Sequence, residues 1–502
     1  MMVLGGATAC TDFIEIDPEN KVPEQGVDFT NKNNMYQPVV GAYSKVRTQG
    51  MHWCNALLMF TRDGDVWSGR TDDQGDAVAF GRKFNYNNSF WALNQVWMNF
   101  YDIIRITNAA LQSLDGYAEY LAAGSEDYKT YESYCGEVRT IRAWAYYCLV
   151  TNFGPTVIYR DNLQTDFRRS TVEAVYNYML EDLNYAIDKL PRMRPNQMEH
   201  KGAVTAFTAQ ALAARIYLLK GDYAQVETLT DDIIKNGGFR LYDDFYQLFK
   251  IPGKLCDESL FECQVTDYGN GSGDYLGVDQ WFNFQGPNMA ERYDEVVNAD
   301  GTISYKQAEG TKSIGGWNFI GYEPEFVAWA EARGEGVRAE TSFLKALSKT
   351  REGWQVGPTS ATKTDCWNGK GYLPYNQMTL PRTTYGANNN VSIICYAEVL
   401  LMNSEAKVRL GKDGDAGYNE VRRRAGMSTK TGVTLKDVMD ERRMELCGEW
   451  CARYVDLVRT GDAATVLGPK GWTAEKTYWP IPANQLDDLP DLKLEPIDGI
   501  AE

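Results

Sequence analysis

Residues 203–238 read AVTAFTAQALAARIYLLKGDYAQVETLTDDIIKNGG, and this stretch decides the fold class. Alanine recurs at helical spacing through its first half, Gly221-Asp222-Tyr223 makes a turn, and a second helical pattern runs to Gly237-Gly238. Small side chains let the two helices pack closely, and a Gly-Asp-Tyr turn between them is typical of a tetratricopeptide-like hairpin. The sequence therefore predicts a scaffold of paired helices.

Helical patterns continue on both sides of this hairpin. They cover 88–114, 136–152, 171–190, 393–411 and 434–461. Ser170 and Glu173 have the spacing of a capping box that opens the third of these helices, and Pro191 closes it. We therefore predict a mostly α-helical protein.

The segment 239–390 differs from the rest of the chain because it is rich in glycine and aromatic residues and has few long periodic runs. No Pro/Ser-rich linker separates it from the helices. The 502 residues therefore divide into one domain over 11–502, in which a helical scaffold (30–238 and 391–465) carries a long loop-rich insertion (239–390). Loops on a rigid frame are where binding residues are usually presented, so we expect the insertion to face a ligand.

Composition excludes several classes of function. The chain has 51 basic and 68 acidic side chains, a net charge of −17, which disfavours binding to nucleic acid. It has only 2 histidines, so histidine-based catalytic triads and zinc sites have almost no support. The sequence contains no GxSxG, P-loop, GxGxxG or EF-hand string. No cofactor is predicted.

The N-terminal residues MMVLGGATAC form a short apolar stretch that ends in small residues and Cys10, after which the chain becomes acidic. This pattern is similar to the end of a bacterial lipoprotein signal, so we predict that 1–10 is a signal remnant and that Cys10 carries lipid. Among the other cysteines, Cys256 and Cys263 are the one pair considered for a disulfide.

The densest charge cluster combines carboxylates with arginines over 441–459. Glu441, Glu445 and Glu449 are spaced four residues apart, and paired carboxylates are what a glycosidase uses. Every carboxylate here has an arginine within four residues, which opposes the raised pKa of a general acid. We predict structural ion pairs, here and for Glu137 with Arg142, and no catalysis.

Aromatic residues without helical or strand periodicity are the candidate ligand contacts. Flat sugar faces stack on such rings, and sugar hydroxyls bond to amides and carboxylates. Packing of the loops onto the scaffold is the alternative interpretation. The predicted site residues from the insertion are Trp281, Phe284, Tyr293, Trp317 and Tyr322. Those from the loop before the first long helix are Trp67, Arg70, Asp73, Tyr86 and Asn87.

Acidic pairs in this earlier loop, such as Asp63 with Asp65, could hold a structural calcium ion. A solvated loop is the favoured interpretation.

Several motifs in order give the chain a family resemblance. They are Trp97-x3-Tyr101-x2-Ile104-x3-Asn108, GEVRTIRAWAYYCLVTNFGPTVI (136–158), the alanine-rich hairpin, YAEVLLMNSEAK (396–407), NEVRRRAG (419–426), ERRMELCGEWCARYVDLVRTG (441–461) and YWPIPANQL (478–486). With these motifs the chain resembles the SusD/RagB family of outer-membrane lipoproteins of the Bacteroidetes type.

The resemblance implies a non-catalytic protein that is lipid-anchored on the outer face of the outer membrane. It implies a helical scaffold of four tetratricopeptide-like pairs, and capture of oligosaccharide or polysaccharide for a SusC-like TonB-dependent transporter. Two alternatives remain open, a RagB-like peptide binder and an α-helical glycoside hydrolase. The high content of aromatic residues, with 13 Trp and 31 Tyr, favours sugar over peptide.

Overall fold

A computed structural model describes residues 26–68, 75–265, 279–358, 365–378, 388–450 and 452–501. The predicted sites Cys10, Arg70 and Asp73 lie outside these residues. Within these ranges the chain forms eighteen α-helices and eleven short strands, with short 3₁₀ and π segments, so the predicted mostly helical class is confirmed.

The N-terminal and central helices form the scaffold. They are α1 (Gln37–Lys45), α2 (Trp53–Phe60), α3 (Gly75–Ala77), α4 (Trp91–Ala118), α5 (Glu126–Phe153), α6 (Val172–Lys189), α7 (Ala206–Lys220) and α8 (Tyr223–Asn236). Consecutive helices from α4 to α8 pack against one another. The main core lies between them and is continuous with the C-terminal helices.

The remaining elements alternate short helices with short strands before long helices return. The helices are α9 (Phe245–Leu248), α10 (Asp279–Gln285), α11 (Pro324–Ala332), α12 (Gly336–Ser342), α13 (Tyr396–Arg409), α14 (Asp415–Arg424), α15 (Leu435–Glu445), α16 (Ala452–Thr460), α17 (Ala463–Leu467) and α18 (Ala483–Asp488). Helix α13 packs against α8, α14 and α15 and so joins the C-terminal helices to the scaffold.

The strands form four small antiparallel sheets. They are β1 (Val66–Ser68), β2 (Ser259–Cys263), β3 (Met289–Ala290), β4 (Tyr293–Val297), β5 (Ile303–Gln307), β6 (Ser313–Ile314), β7 (Ile320–Tyr322), β8 (Phe343–Lys345), β9 (Gln355–Val356), β10 (Cys366–Asn368) and β11 (Val391–Cys395). The sheet orders are β1-β7-β10-β8, β11-β2, β6-β3-β9 and β4-β5. Pairing of β1 with β7 attaches the loop-rich segment to the N-terminal region.

The hairpin that decides the fold class forms as predicted. Gly221 ends α7 with a φ of 72°, a left-handed conformation that costs glycine little. The Asp222 side chain then accepts a hydrogen bond from the Gln225 amide at 3.1 Å and caps α8. The two residues together explain why the chain turns back so tightly.

Several helix boundaries differ from the prediction. Helix α5 begins at Glu126 instead of residue 136, and residues 393–395 belong to β11, so α13 begins at Tyr396. The capping box at Ser170 is wrong, because Ser170 pairs with Thr156 in a β-bridge and Thr171 caps α6 by accepting from the Ala174 amide. The helix predicted over 434–461 breaks into α15 and α16. Gly448 in this break has a φ of 69°, and a Cβ there would lie 2.3 Å from the Tyr322 hydroxyl. Close approach to a neighbouring strand therefore interrupts the helical periodicity.

The charge cluster forms buried ion pairs, as predicted. Arg338, with a side chain 0% exposed, lies 2.6 Å from Glu441, 3.0 Å from Glu445 and 2.6 Å from Glu335. Burial alone would raise the pKa of Glu445, but Arg424 and Arg338 hold it below its ordinary value. These contacts tie α12 to α15 inside the protein.

Glu137 does not pair with Arg142, which corrects that part of the prediction. Arg142 binds Asp182 through two hydrogen bonds of 2.8 and 2.7 Å. Glu137 is buried and accepts hydrogen bonds from the hydroxyls of Tyr36 and Tyr43 at 3.2 and 2.8 Å. Burial raises the pKa of Glu137 to about 8, against the weaker opposing effect of the two hydroxyls. This carboxyl is therefore mostly protonated at neutral pH.

We expect Glu137→Gln to remove a pH dependence of stability. In the wild type, the unfolded state loses its proton near pH 4.5 while the folded state keeps it to about pH 8. The wild-type free energy of unfolding should therefore fall as pH rises across this window, by at most about 1.4 kcal/mol per pH unit. The variant should lack this contribution, so its stability relative to wild type should rise from pH 5 to pH 8.

Urea unfolding at several pH values measures the difference, with Glu126→Gln on the exposed start of α5 as the matched control. Parallel pH profiles for wild type and the Glu137 variant would contradict this assignment.

Eight cysteines of the described chain are free, and seven of them are buried. Cys256 and Cys263 are among the eight, so the disulfide considered between them does not form. Burial raises the pKa of the Cys256 thiol to about 11 and that of Cys263 to about 12.

Candidate functional site

Five aromatic rings from four separate parts of the chain form an arc of ring contacts, which we call the aromatic arc. Its members are Trp53, Trp91, Phe284, Trp317 and Phe319. The Trp53 ring is central, with centroid distances of 5.6 Å to Trp91, 5.3 Å to Phe284 and 6.2 Å to Trp317. Phe319 stacks on Phe284 at 5.0 Å and lies 6.3 Å from Trp317. The rings therefore form one connected surface.

Exposure varies systematically across the aromatic arc. Phe284 is fully buried and supports the other rings from below, whereas Trp53, Trp317 and Phe319 are half-buried. Trp91 is 54% exposed, which is unusual for so large an apolar side chain. A patch of exposed aromatic surface on a buried aromatic base is the arrangement expected of a binding platform.

Helix N-termini place two of these tryptophans. Trp53 is the first residue of α2, which is capped by the Nδ1 atom of His52 accepting from the Cys54 amide at 3.2 Å. Trp91 is the first residue of α4, just after a turn in which Asn87 accepts from the Ser89 amide. Side chains at the first turn of a helix project towards the preceding loops rather than along the scaffold. Both rings therefore face the same edge of the scaffold.

Backbone hydrogen bonds to α10 and to Gly286, the residue after it, position Trp317, the third tryptophan of the aromatic arc. The amides of Trp317, Asn318 and Phe319 donate to the carbonyls of Asn283, Gly286 and Phe284 at 2.7, 3.0 and 3.1 Å. A Cβ on Gly316 would lie 2.3 Å from the Gly286 carbonyl oxygen, so glycine is required where the two segments meet. Trp317 therefore lies on a rigidly held segment.

Amide side chains lie beside the aromatic arc. Asn288 is exposed, and its Oδ1 accepts from the Gly316 amide at 3.0 Å, next to Trp317. Asn318 is buried with a φ of 59°, and its Oδ1 accepts from the Asn288 amide at 3.2 Å. Asn87 is exposed four residues before Trp91. These groups offer hydrogen-bonding partners at the edge of the apolar surface.

Of the predicted insertion residues, Trp317 and Phe284 belong to the aromatic arc and the others lie elsewhere. Trp281 is 4% exposed and stacks on Trp450 at 5.1 Å, so it packs the core. Tyr322 is also buried, with its hydroxyl 3.2 Å from Asn368 Oδ1. Tyr293 is half-buried at the start of β4. Trp281 and Tyr322 therefore do not enter the site proposed below.

The predicted site residues before α4 also differ in their burial and contacts. Trp67 is buried in β1 with the Arg82 guanidinium 3.5 Å from its ring centroid, which is a structural cation–π contact. Tyr86 is half-buried, and its hydroxyl donates to the Lys476 carbonyl at 3.0 Å. Asn87 is exposed and lies four residues before the arc residue Trp91.

Sequence reasoning missed Trp53 and Trp91. The helical periodicity that starts at residue 88 assigned Trp91 to the scaffold, and Trp53 lies in a largely apolar run. The available signal was position, because each tryptophan is the first residue of its helix.

A pocket lies next to Trp281. It has a volume of about 70 Å³, and its lining includes Trp281, Trp450, Asn368, Lys370 and Glu449. Lys370 binds Glu449 at 2.7 Å, so the main charges are neutralised internally. This volume suits a few water molecules.

The acidic loop offers no calcium site in the described part of the chain. Asp65 is held by Arg443 and Arg453, and burial together with Asp65 raises the pKa of Asp63 to about 7. No group of three or more potential metal ligands occurs among the described residues. Across those same residues, no helix is both long and apolar enough to cross a membrane.

Comparison with known proteins identifies relatives over nearly the whole chain. The SusD family model matches residues 278–496, and a family model described as starch-binding associating with outer membrane matches residues 12–218. A SusD-like protein of Bacteroides ovatus is 25% identical over 399 residues, which are 73% of this chain and 65% of that protein. A SusD-like protein of Formosa agariphila is 22% identical over 98% of this chain and 96% of its own length.

Solved structures share the fold. A laminarin-binding SusD-like protein is 23% identical with a TM-score of 0.72, covering 92% of this chain and 98% of its own. Surface glycan-binding protein A from Bacteroides thetaiotaomicron, in complex with laminarihexaose, is 21% identical with a TM-score of 0.71, covering 91% and 97%. With the two family models matching successive parts of one chain that has this fold, the protein belongs to the SusD/RagB family.

Proposed function

We propose that this protein is a non-catalytic glycan-binding lipoprotein of the cell surface, and that the aromatic arc is its glycan site. The observation that carries the proposal is the solvent-exposed ring of Trp91 beside the half-buried rings of Trp53 and Trp317. Indole faces bind the C–H faces of sugars, and the exposed amide of Asn288 offers partners for hydroxyl groups. The relatives named for laminarin and laminarihexaose support the same ligand class.

Buried ion pairing supports a binding role over hydrolysis. A glycosidase needs two carboxyl groups free to act as acid and base or nucleophile on either side of the scissile bond. The carboxylates of the 441–459 cluster instead contact arginines or a lysine, as Glu441 does with Arg338 and Glu449 with Lys370. The aromatic arc itself contains no carboxylate. Captured glycan would therefore leave the protein unchanged.

We further propose that the bound oligosaccharide passes to a SusC-like TonB-dependent transporter in the outer membrane. This partner follows from the family, since proteins of this family are expected to work with such a transporter. The lipid on Cys10 would hold the protein on the outer face of that membrane, beside its partner.

A panel of soluble polysaccharides in native affinity gels tests the glycan proposal. The panel includes laminarin, xyloglucan, starch and host glycans, with a peptide mixture tested separately by calorimetry. Retarded migration in at least one polysaccharide gel, without release of reducing ends on prolonged incubation, is the expected result. Binding of peptides alone, or the appearance of hydrolysis products, would overturn the proposal.

The anchor gives a separate prediction. A thioether-linked lipid contributes about 0.8 kcal/mol per buried methylene, which is ample to retain a soluble domain at a membrane. Cys10→Ser, expressed behind the native leader of its gene, should therefore move the protein from the membrane fraction to the soluble fraction. Immunoblots of the two fractions measure the shift, with Cys54→Ser as a control that leaves the N-terminus intact. Retention of the Cys10 variant in membranes would contradict lipidation at this residue.

A further inference from the structure

A second pair of stacked aromatic rings lies in the loop-rich segment. The rings of Trp354 and Tyr375 stack at 5.0 Å with an interplanar angle of 16°, and both side chains are half-buried. The exposed Lys312 places its ammonium 5.1 Å from the centroid of Tyr375. We call the two stacked rings the distal pair, and Lys312 lies beside them. They combine a flat apolar surface with a hydrogen-bond donor, as the aromatic arc and Asn288 do.

One small sheet connects the two surfaces. Strands β6 and β9 both pair antiparallel with β3, so they run in the same direction. Lys312 precedes β6 and Trp354 precedes β9, which places both at one end of this sheet. Trp317 follows β6 and therefore lies towards the other end. The five-residue step from Lys312 to Trp317 spans at most about 18 Å.

Polar and aromatic groups occupy the space between the two ends. The Gly357 amide, just after β9, donates to the Asn288 carbonyl at 2.7 Å, and Asn288 Oδ1 accepts from Gly316 beside Trp317. The hydroxyl of Tyr293 lies 3.2 Å from the position of a Cβ on Gly357. Asn288 and the Tyr293 hydroxyl therefore lie at the end of the sheet nearer Trp317. The Tyr293 backbone lies nearer the distal pair, because its amide donates to Gln355 Oε1 at 2.8 Å, next to Trp354.

We propose that the glycan site extends from the aromatic arc past Asn288 and Tyr293 to Trp354, Tyr375 and Lys312, and so selects long, extended glycan chains over short fragments. This inference rests on the proposed glycan function. A short oligosaccharide reaches the aromatic arc alone. A chain long enough to cross the sheet also stacks on the distal pair, and each added contact slows its dissociation.

The test compares a disaccharide and a hexasaccharide of the polysaccharide that retards the wild-type protein most in the panel. Calorimetric titration should give wild type an affinity for the hexasaccharide at least about tenfold higher than for the disaccharide. Trp354→Leu/Tyr375→Leu keeps an apolar side chain at both positions but removes the flat rings. This variant should lose most of that advantage while binding the disaccharide as wild type does. Lys312→Ala, at an exposed side chain, should reduce hexasaccharide binding alone.

Each outcome bears on one proposal or both. Unchanged disaccharide binding also shows that the double variant is folded. A double variant that keeps the full hexasaccharide advantage overturns the extended site and leaves the glycan function standing. Equal affinity of the wild-type protein for the disaccharide and the hexasaccharide also overturns the extended site and leaves the glycan function standing. Failure of wild type to bind any polysaccharide in the panel overturns the glycan function and the extended site together.

Discussion

Replacing both Trp91 and Trp317 with alanine should weaken glycan binding by about thirtyfold or more, with the fold retained. Each indole should supply on the order of 1 kcal/mol through ring stacking in addition to the surface it buries. Two such losses together weaken the binding free energy by about 2 kcal/mol, which corresponds to an affinity about thirtyfold lower. Trp91 is exposed and Trp317 half-buried, so their truncation leaves little core cavity. Calorimetric titration with the polysaccharide selected in the panel measures the effect.

Two further variants separate binding from folding. Trp329 is also half-buried, but its ring contacts Phe326 and not the aromatic arc, so Trp329→Ala should leave affinity unchanged. Trp281→Ala should lower stability, whereas the Trp91/Trp317 double variant should lower affinity with the fold retained. Truncating this buried ring should cost about 3–5 kcal/mol of stability and lower the melting temperature without ligand. A folded Trp91/Trp317 variant with wild-type affinity would exclude the aromatic arc as the glycan site.

Arg338→Met should lower the free energy of unfolding by about 3–5 kcal/mol. Arg338 is completely buried and contacts Glu335, Glu441 and Glu445, whose charges would lose a shared partner. Removing one member of a buried ion network is strongly destabilising, because the remaining charges stay desolvated without a partner. This loss is much larger than the stability that the whole network adds over apolar residues of similar size. The free energy of unfolding in urea measures the loss.

An exposed ion pair provides the matched control. Arg292 contacts Asp294 at 2.9 Å, and both side chains are more than half exposed. Arg292→Met should therefore change stability by less than about 1 kcal/mol. If Arg338→Met were as mild as this control, the buried network would not have the structural role assigned to it.

The helical scaffold could be predicted from sequence because its signals are local. The turn at Gly221 and Asp222 fixes the helical hairpin through a left-handed glycine and a side-chain cap, and both depend on residues within one turn. The break at Gly448 could not be predicted in this way. Its cause is the approach of Tyr322, a residue more than a hundred positions away in the chain.

The candidate site was predicted only in part for the same reason. Composition and the absence of periodicity identified Trp317 and Phe284, but the same criteria also selected Trp281, which packs on Trp450. Whether a loop tryptophan faces solvent or core depends on which segment covers it. For Trp91 the difference runs the other way. Its helical pattern predicted a role in scaffold packing, although its ring is 54% exposed.

The free cysteines have a consequence for where and how this protein can be produced. Because the eight described cysteines are unpaired, that part of the fold needs no oxidant or disulfide isomerase during export. The raised pKa of thiols such as Cys263 keeps them in the unreactive protonated form, so mixed disulfides and alkylation are disfavoured. We therefore expect the folded domain to tolerate both an anaerobic, strongly reducing habitat and handling in air without added reductant.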